Sequence, residues 1–531
     1  NGYVNQINLE NLTLKYSTKM LLVGNMNLKG ITHPSEAFIN GQVSKMYITT
    51  PGWESLINNF SKDKVKLPAP LVQLGTINFT GEISGFFDHL IAYGKLSTAI
   101  GSVQTDLVFG NNKKENIAAF LKGRVRTNEL DLGKLLGKSE LLGKAKCAIE
   151  IDAKRPTGGH FAGNIQANIS RFDFKEYTYQ DIRLAGNFRR KAFDGTIQIN
   201  DPNGSLHAKG MFEHLGQHSV FNFVADIDHF RPDRLNLSQK YEEPDISLSL
   251  KADFTGNTID NVEGNIQVDS LDFRTKPHRF FLNQLVVKAS GHTSDRNLQI
   301  SSDIINGEIK GAYSFATIVP SFMNTFKAYI PTLINVTQKK RKFEENNFSL
   351  LLTLENTEDL SSTLKLPFTI KQQTRITGSY NNNYNKFRFE AYLPQFCIGK
   401  SNFEGGYLSC SNPDDKISLD LKATQFNMKG MRNYIDLHSD AKDNCIQSFI
   451  QWANNKTQTF RADLSASTCF IEEPHEEGNP MTLRTEIALH ETPLVINDTI
   501  WKIMPSKITI HNGKVDIDHF RVARDSEFLT I

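Results

Sequence analysis

A chain of 531 residues with 60 Lys and Arg against 58 Asp and Glu carries a formal charge of only +2, which argues against broad nucleic-acid binding. Its length would usually mean three or four compact domains, but only 39% of it is hydrophobic; that is modest for its size, so much of any sheet should keep one wet face. No run of 18 apolar residues exists to cross a bilayer as a helix, and the five cysteines, Cys147, Cys397, Cys410, Cys445 and Cys469, show no zinc spacing.

Among the aromatics Phe (36) far outnumbers Tyr (14) and Trp (3). Phe needs no hydrogen-bond partner when buried, which suits a dry surface or a hydrocarbon ligand as well as an ordinary core. No stretch reads as a signal peptide. The chain opens at Asn1 and stops at Ile531 within an alternating segment. The expectation is a piece of a longer protein, with any anchor or targeting signal outside it.

Residues 23–28 and 41–49 are the first strand candidates, and 53–60 a short helix. Over 74–109 Ile77, Phe79 and Ile83 share one parity, followed by Leu96, Thr98 and Ile100, then Val103, Leu107 and Phe109. Alternation is the strand period, because successive side chains point to opposite faces. Gly81 and Gly85 fall on the apolar parity, where glycine marks bends or close approach, so the sheet should curl. Residues 120–150 predict strand, a short helix near 133–138, and strand again. The run from Gly133 to Ser139 has three residues between its first two glycines where a phosphate loop needs four, so it is not read as a nucleotide site.

The plan is clearest over 163–230. The apolar sets are Ile165, Ala167 and Ile169; then Ile182, Leu184 and Phe188; then Phe193, Ile197 and Ile199; then Phe221, Phe223, Ala225 and Ile227. Each set is bounded by turn residues such as Asp201-Pro202-Asn203-Gly204. Residues 246–315 resume the rhythm. Gly264-Asn265-Ile266-Gln267 echoes Gly163-Asn164-Ile165-Gln166, and Asp516-Ile517-Asp518-His519-Phe520 echoes Asp226-Ile227-Asp228-His229-Phe230, as a unit used many times over would.

Residues 316–334 break the pattern. Val319, Phe322, Phe326, Tyr329, Ile330 and Leu333 recur at three- and four-residue spacing, one face of a helix. Pro320 suits its first turn and Pro331 its end. The basic run Lys339-Lys340-Arg341-Lys342 follows. One reading is an amphipathic helix that touches a membrane surface or plugs a greasy groove through Phe322, Phe326, Tyr329 and Ile330. The other, which weighs more, is a core-packing helix followed by a solvated linker. Alternation returns at 348–354, 387–393, 417–423 and 460–466. The expected organisation is therefore residues 1–315, a helix and basic linker at 316–345 with a soft boundary near 340, and residues 346–531.

Chemistry-bearing patterns are few. His207, His214 and His218 lie near one another without a metal-binding pair; Asp226, Asp228 and His229 resemble a cluster that could hold a hard cation, but a solvated strand face is the preferred reading. No nucleophile elbow or dinucleotide fingerprint occurs. No catalytic residue, metal or cofactor is expected. Cys397 and Cys410 flank a predicted hairpin and are candidates to pair.

The apolar faces remain as the only constellation able to carry function. A sheet must bury its greasy face against something. Either sheets pair into sandwiches, as in a structural or adhesin-like protein, or one sheet curls into a gutter whose missing layer is lipid. About 25 strands spaced about 4.8 Å apart would run on the order of 120 Å, a length that suits a conduit. On the residues alone, sandwiches are the preferred outcome.

The stretch 494–522 alters that preference. Its features Asn497-Asp498-Thr499-Ile500-Trp501, Pro505-Ser506-Lys507-Ile508, Gly513-Lys514-Val515-Asp516-Ile517 and Phe520 resemble a recurrent unit of the TamB family, the AsmA-like proteins of diderm bacterial envelopes, in the form found in Bacteroidetes. Residues 74–109 and 123–143, with Leu130-Asp131-Leu132-Gly133, are similar too; together these cover about a third of the chain. The resemblance implies an elongated, curled, mostly antiparallel all-β groove with one or two short helices, crossing the periplasm from an inner-membrane anchor outside this chain. It implies phospholipid movement to the outer membrane, outer-membrane protein assembly, or both, with an outer-membrane partner of the TamA or BamA type. On strand parity, the residues expected to line the groove and meet acyl chains are Ile77, Phe79, Ile83, Ile165, Ile169, Leu184, Phe188, Ile197, Ile199, Phe221 and Phe223.

Overall fold

The alternating segments form antiparallel strands throughout. The structure is a computed structural model and describes all residues except 1, 4, 31, 34–35, 61–71, 87, 217, 293, 335–344, 428, 456–457, 474–481 and 531. The chain divides into two compact units, Asn1–Asp253 with Asp272–Pro277 and Phe254–Leu271 with His278–Ile531. The boundary expected near residue 340, and the basic run Lys339 to Lys342, lie outside the described residues.

The first unit is a meander. From Gln6–Tyr16 to His218–Phe230 every strand pairs antiparallel with the next one in sequence. Directly opposed residues share a face, so parity on one strand propagates across the ladder. Glu82, Tyr93, Asp106, Arg124, Glu150 and Gln166 form one cross-strand row on the wet face. Ion pairs there, such as Arg124 with Glu150 at 3.2 Å, are more than half exposed, and each contributes little. Gly81 provides a bend: its φ is +155°, and a Cβ there would lie 2.5 Å from Gly94 Cα on the neighbouring strand. Such glycines let the sheet curl.

The second unit continues the same way from Arg279–Ser290 to Phe460–Glu473, except that Asn347–Leu354 pairs with Thr374–Asn381 and the short strand Phe368–Ile370 between them pairs with Lys386–Ile398. Several of its strands are broken in the middle. Thr482–Leu489 and Thr492–Ile496 both pair with Phe460–Glu473, as two halves of one line. Their partners Ser506–His511 and Thr499–Ile503 are split likewise. The described residues hold 35 strand segments where about 25 strands were expected, mainly because most hairpin turns take only two residues, with the breaks adding a few more. The two copies of the Asp-Ile-Asp-His-Phe echo differ in placement. His229 (φ +51°) and His519 (φ +56°) both take the left-handed conformation; His229 stays within the strand His218–Phe230, whereas His519 lies in the gap between Lys514–Asp518 and Arg521–Arg524.

Four helices are described rather than one or two. Helix α1 (Thr50–Phe60) and helix α2 (Leu132–Leu136) match expected positions. The Asp131 side chain caps α2 by accepting from Lys134 N at 2.9 Å, and Gly137, at φ +66°, ends it. Helix α3 (Ile318–Lys327) carries Pro320 in its first turn and stops before Pro331; turns continue to Leu333. Helix α4 (Glu358–Leu364) was not foreseen, because Ser361, Ser362 and Thr363 are poor helix formers. The strand Ile305–Ala312 pairs directly with Asn347–Leu354, so α3 is an insertion within the second unit's sheet.

The candidate pair Cys397 and Cys410 is not joined; both thiols are free. Cys397 lies opposite Asn402 and its thiol donates to Asn402 Oδ1 at 3.0 Å, while Cys410 lies opposite Phe389. The two sit far apart along one hairpin. The disulfide joins Cys445 to Cys469, which are opposed residues on adjacent strands with Cα atoms 4.1 Å apart.

Two outcomes follow. Reducing the disulfide, or substituting Cys445→Ser, should lower stability by about 3 kcal/mol for a closed loop of this length; an unchanged denaturation midpoint would contradict it. His438 Nδ1 lies 2.7 Å from Asp420 and its Nε2 3.4 Å from Asp440, and the Asp420 hydrogen bond raises its pKa above the ordinary value. That stabilisation is fully present below the unfolded His value, near 6.5, and is lost as pH rises through the raised folded value. Thermal unfolding of His438→Gln between about pH 6 and 9 should lose this pH-dependent component; an identical pH profile would contradict the assignment.

Candidate functional site

Register assembles the apolar residues of the first unit into one surface. One row crosses the strands through Ile83, Ala92, Leu107, Gly123, Ile151 and Ile165, then Gly186, Gly195, Gly210 and Phe223. The next row contains Ala167, Leu184, Ile197, Ala208 and Ala225. A third holds Phe79, Leu96, Val103, Cys147, Ile169, Ile182 and Ile199. Along the other margin Phe188, Phe193, Phe212 and Phe221 oppose one another in turn, the last two rings 5.1 Å apart. All eleven residues singled out from the sequence therefore lie on one face, with Ile77 two positions from Phe79 on the same parity.

Burial on that face is incomplete. Ile77 is 7% exposed and Phe79 5%. Ile83, Ile165, Ile169, Leu184, Phe188, Ile197, Ile199, Phe221 and Phe223 are only half-buried, and Phe212 is 40% exposed. A facing sheet would have sealed them as it seals the two inner faces of a sandwich. The surface total agrees: 32,556 Å² is accessible, against roughly 23,000 Å² for two separate compact bodies sharing this mass.

Aromatic rings floor the surface. The Phe193 ring lies over the Gly186–Gly195 pair, and a Cβ on either glycine would come within 2.9 Å of Phe193 Cζ. Phe79 covers Gly94 in the same way. Glycine is required because the ring occupies the space a side chain would take. Burial on the apolar face pushes the thiol of Cys147 in the first unit, and that of Cys410 in the second, up from the ordinary pKa.

The second unit repeats the arrangement. A row runs through Val287, Ile300, Gly307, Leu352, Ile376, Ala391, Leu408, Leu421, Leu437 and Ile450. One margin is covered. Phe322 and Phe326 of α3, with Tyr329 and Ile330 beyond it, pack on Phe348, Tyr380, Phe387 and Ile417. The four helix residues named from the sequence thus share a site with one another in the second unit, whereas the eleven belong to the first.

Sequence reasoning missed part of this surface. Leu121, Val125, Ile149 and Ile151 lie on the same face of the first unit, and the alternating Arg124, Arg126, Glu150 and Asp152 around them carried the signal. Asp226, Asp228 and His229 lie on the polar side; Asp226 accepts from Ser249 Oγ at 2.6 Å and His229 faces Asp245. A concavity of about 980 Å³ near His89, Asn112 and Lys113 opens at hairpin ends, not on the apolar rows.

What these rows can do chemically is bind apolar chains without directional contacts, by removing their surface from water. No family model, no curated protein and no solved structure matches the chain.

Substituting Gly195→Val should cost roughly 3 kcal/mol or more, because its Cβ would lie 2.2 Å from Ala185 O and 2.6 Å from Gly186 Cα. A melting temperature within a degree of wild type would show that the ring-on-glycine packing is not required.

Proposed function

We propose that the chain is a non-enzymatic carrier whose apolar face holds lipid acyl chains, which move along it by diffusion. The observation that carries this reading is the continuous set of half-buried aliphatic and aromatic side chains in the first unit, with charged residues such as Arg124, Glu150 and Asp152 on the opposite face. Apolar surface of such extent does not stay uncovered without a purpose, and a ligand of hydrocarbon matches its lack of hydrogen-bonding groups. An adhesin of stacked sandwiches would instead fill its own cores.

The proposed setting is the periplasm of a diderm bacterium, bridging from an inner-membrane anchor toward an outer-membrane partner of the BamA or TamA type. Two things support it. One is the resemblance of 494–522 and 74–109 to TamB-like repeats. The other is the disulfide between Cys445 and Cys469, since such bonds persist in oxidising compartments. Support for outer-membrane protein assembly rests on the resemblance alone.

The test is a charge placed on the face. Ile197→Asp and Phe223→Arg should each weaken binding of a fluorescently labelled phospholipid about tenfold, in line with burying a polar group without a partner. Because both sites are partly open, melting temperature should fall by only a few degrees. Unchanged lipid binding, or loss of the folded sheet in both variants, would point to a filled core.

A further inference from the structure

The apolar face of the second unit already has an occupant at one margin. Phe322 of α3 contacts Tyr380, Phe387 and Phe389 with ring centroids 5.0–5.4 Å apart, and Phe326 stacks on Phe387 at 5.3 Å. Beneath the rings are buried polar pins. Tyr380 Oη shares hydrogen bonds with Ser321 Oγ at 2.8 Å and Thr325 Oγ1 at 3.1 Å, and both Tyr380 and Thr325 are 1% exposed. Past the helix, Asn412 Nδ2 donates to Tyr329 Oη at 2.9 Å, and Asn444 Oδ1 accepts from Thr332 N at 3.0 Å. At the start, Asp260 accepts from Phe315 N at 2.6 Å and Ser314 Oγ at 3.0 Å.

Lifting the segment away would expose the aromatic cluster and leave these buried groups unpaired in one step, and the cost of unpaired buried groups is what makes such networks rigid. A lid poised to open would be held by fewer and wetter contacts. The segment's inward side chains do what an acyl chain would do on the same surface, but permanently.

We infer that residues 317–334 are a fixed stopper, supplied by the chain itself, that closes one margin of the second unit's apolar face and confines acyl chains there to the strip around Leu352, Ile376, Leu408 and Leu437. This rests on the lipid reading of the apolar faces. It assigns Tyr380 as the residue that positions the stopper, and it makes the lipid strip of the second unit narrower than the face of the first, where the rows stay half-buried.

The experiment uses the whole chain with phosphatidylcholine vesicles carrying a diazirine in the acyl chain, and maps adducts by mass spectrometry. Adducts are expected on the first unit's rows and around Leu408 and Leu437, with at least tenfold fewer on Phe322, Phe326 and Phe387. Hydrogen exchange across 318–330 should be slow and unchanged by vesicles. In Phe322→Ser/Phe326→Ser, kept only if its far-ultraviolet circular dichroism matches wild type, adducts should appear on Phe387. Equal wild-type labelling of Phe387 and Leu408, or faster exchange across 318–330 with lipid, would overturn the stopper while leaving the lipid reading standing. Absence of adducts from both units would overturn the lipid reading and the stopper with it.

Discussion

The constraint on which the structure depends is the antiparallel ladder with a two-residue side-chain period. Each strand bonds its backbone to its neighbours, so every side chain is committed to one of two faces. Most charged and amide residues take one face and most aliphatic and aromatic residues the other. Backbone pairing satisfies the strands without any second layer, and so leaves the apolar face as the unsolved part of the energy balance. In the second unit α3 covers one margin of that face. In the first, Ile197, Phe221 and Phe223 remain half-buried.

Glycine and phenylalanine work together on this surface. Where two glycines oppose each other, as at Gly186 and Gly195, a ring from the same face fills the gap, so close strand approach and a smooth apolar floor come from one device. That accounts for the Phe-rich composition better than a conventional core does, since few of the described phenylalanines are fully buried. It also shows why the glycines could not be replaced by larger apolar residues without moving backbone.

Much of this was legible from the residues. Strict alternation placed the strands, and the parity of Ile77, Ile165, Leu184 and Phe223 placed them on a single face once register connected them. The break after Asp518 was not legible, because the left-handed turn at His519 uses a residue with no strong turn signature. Helix α4 was hidden by its serines and threonine. The disulfide was hidden for a different reason: Cys445 and Cys469 meet only because two long strands adopt one particular register, and spacing along the chain does not encode register. Cys397 and Cys410 had the more suggestive spacing but face Asn402 and Phe389 instead. The helical period at 316–334 was clear, yet only the fold shows that Phe322 and Phe326 turn onto the sheet.

The central claim is that protein leaves the oily face of these strands for another substance to cover. It is tested most directly by native mass spectrometry and lipid extraction of the chain purified without detergent from a bacterial envelope. The account predicts several phospholipid molecules bound per chain and released by organic solvent. A lipid-free chain of the sequence mass, equally folded, would contradict it.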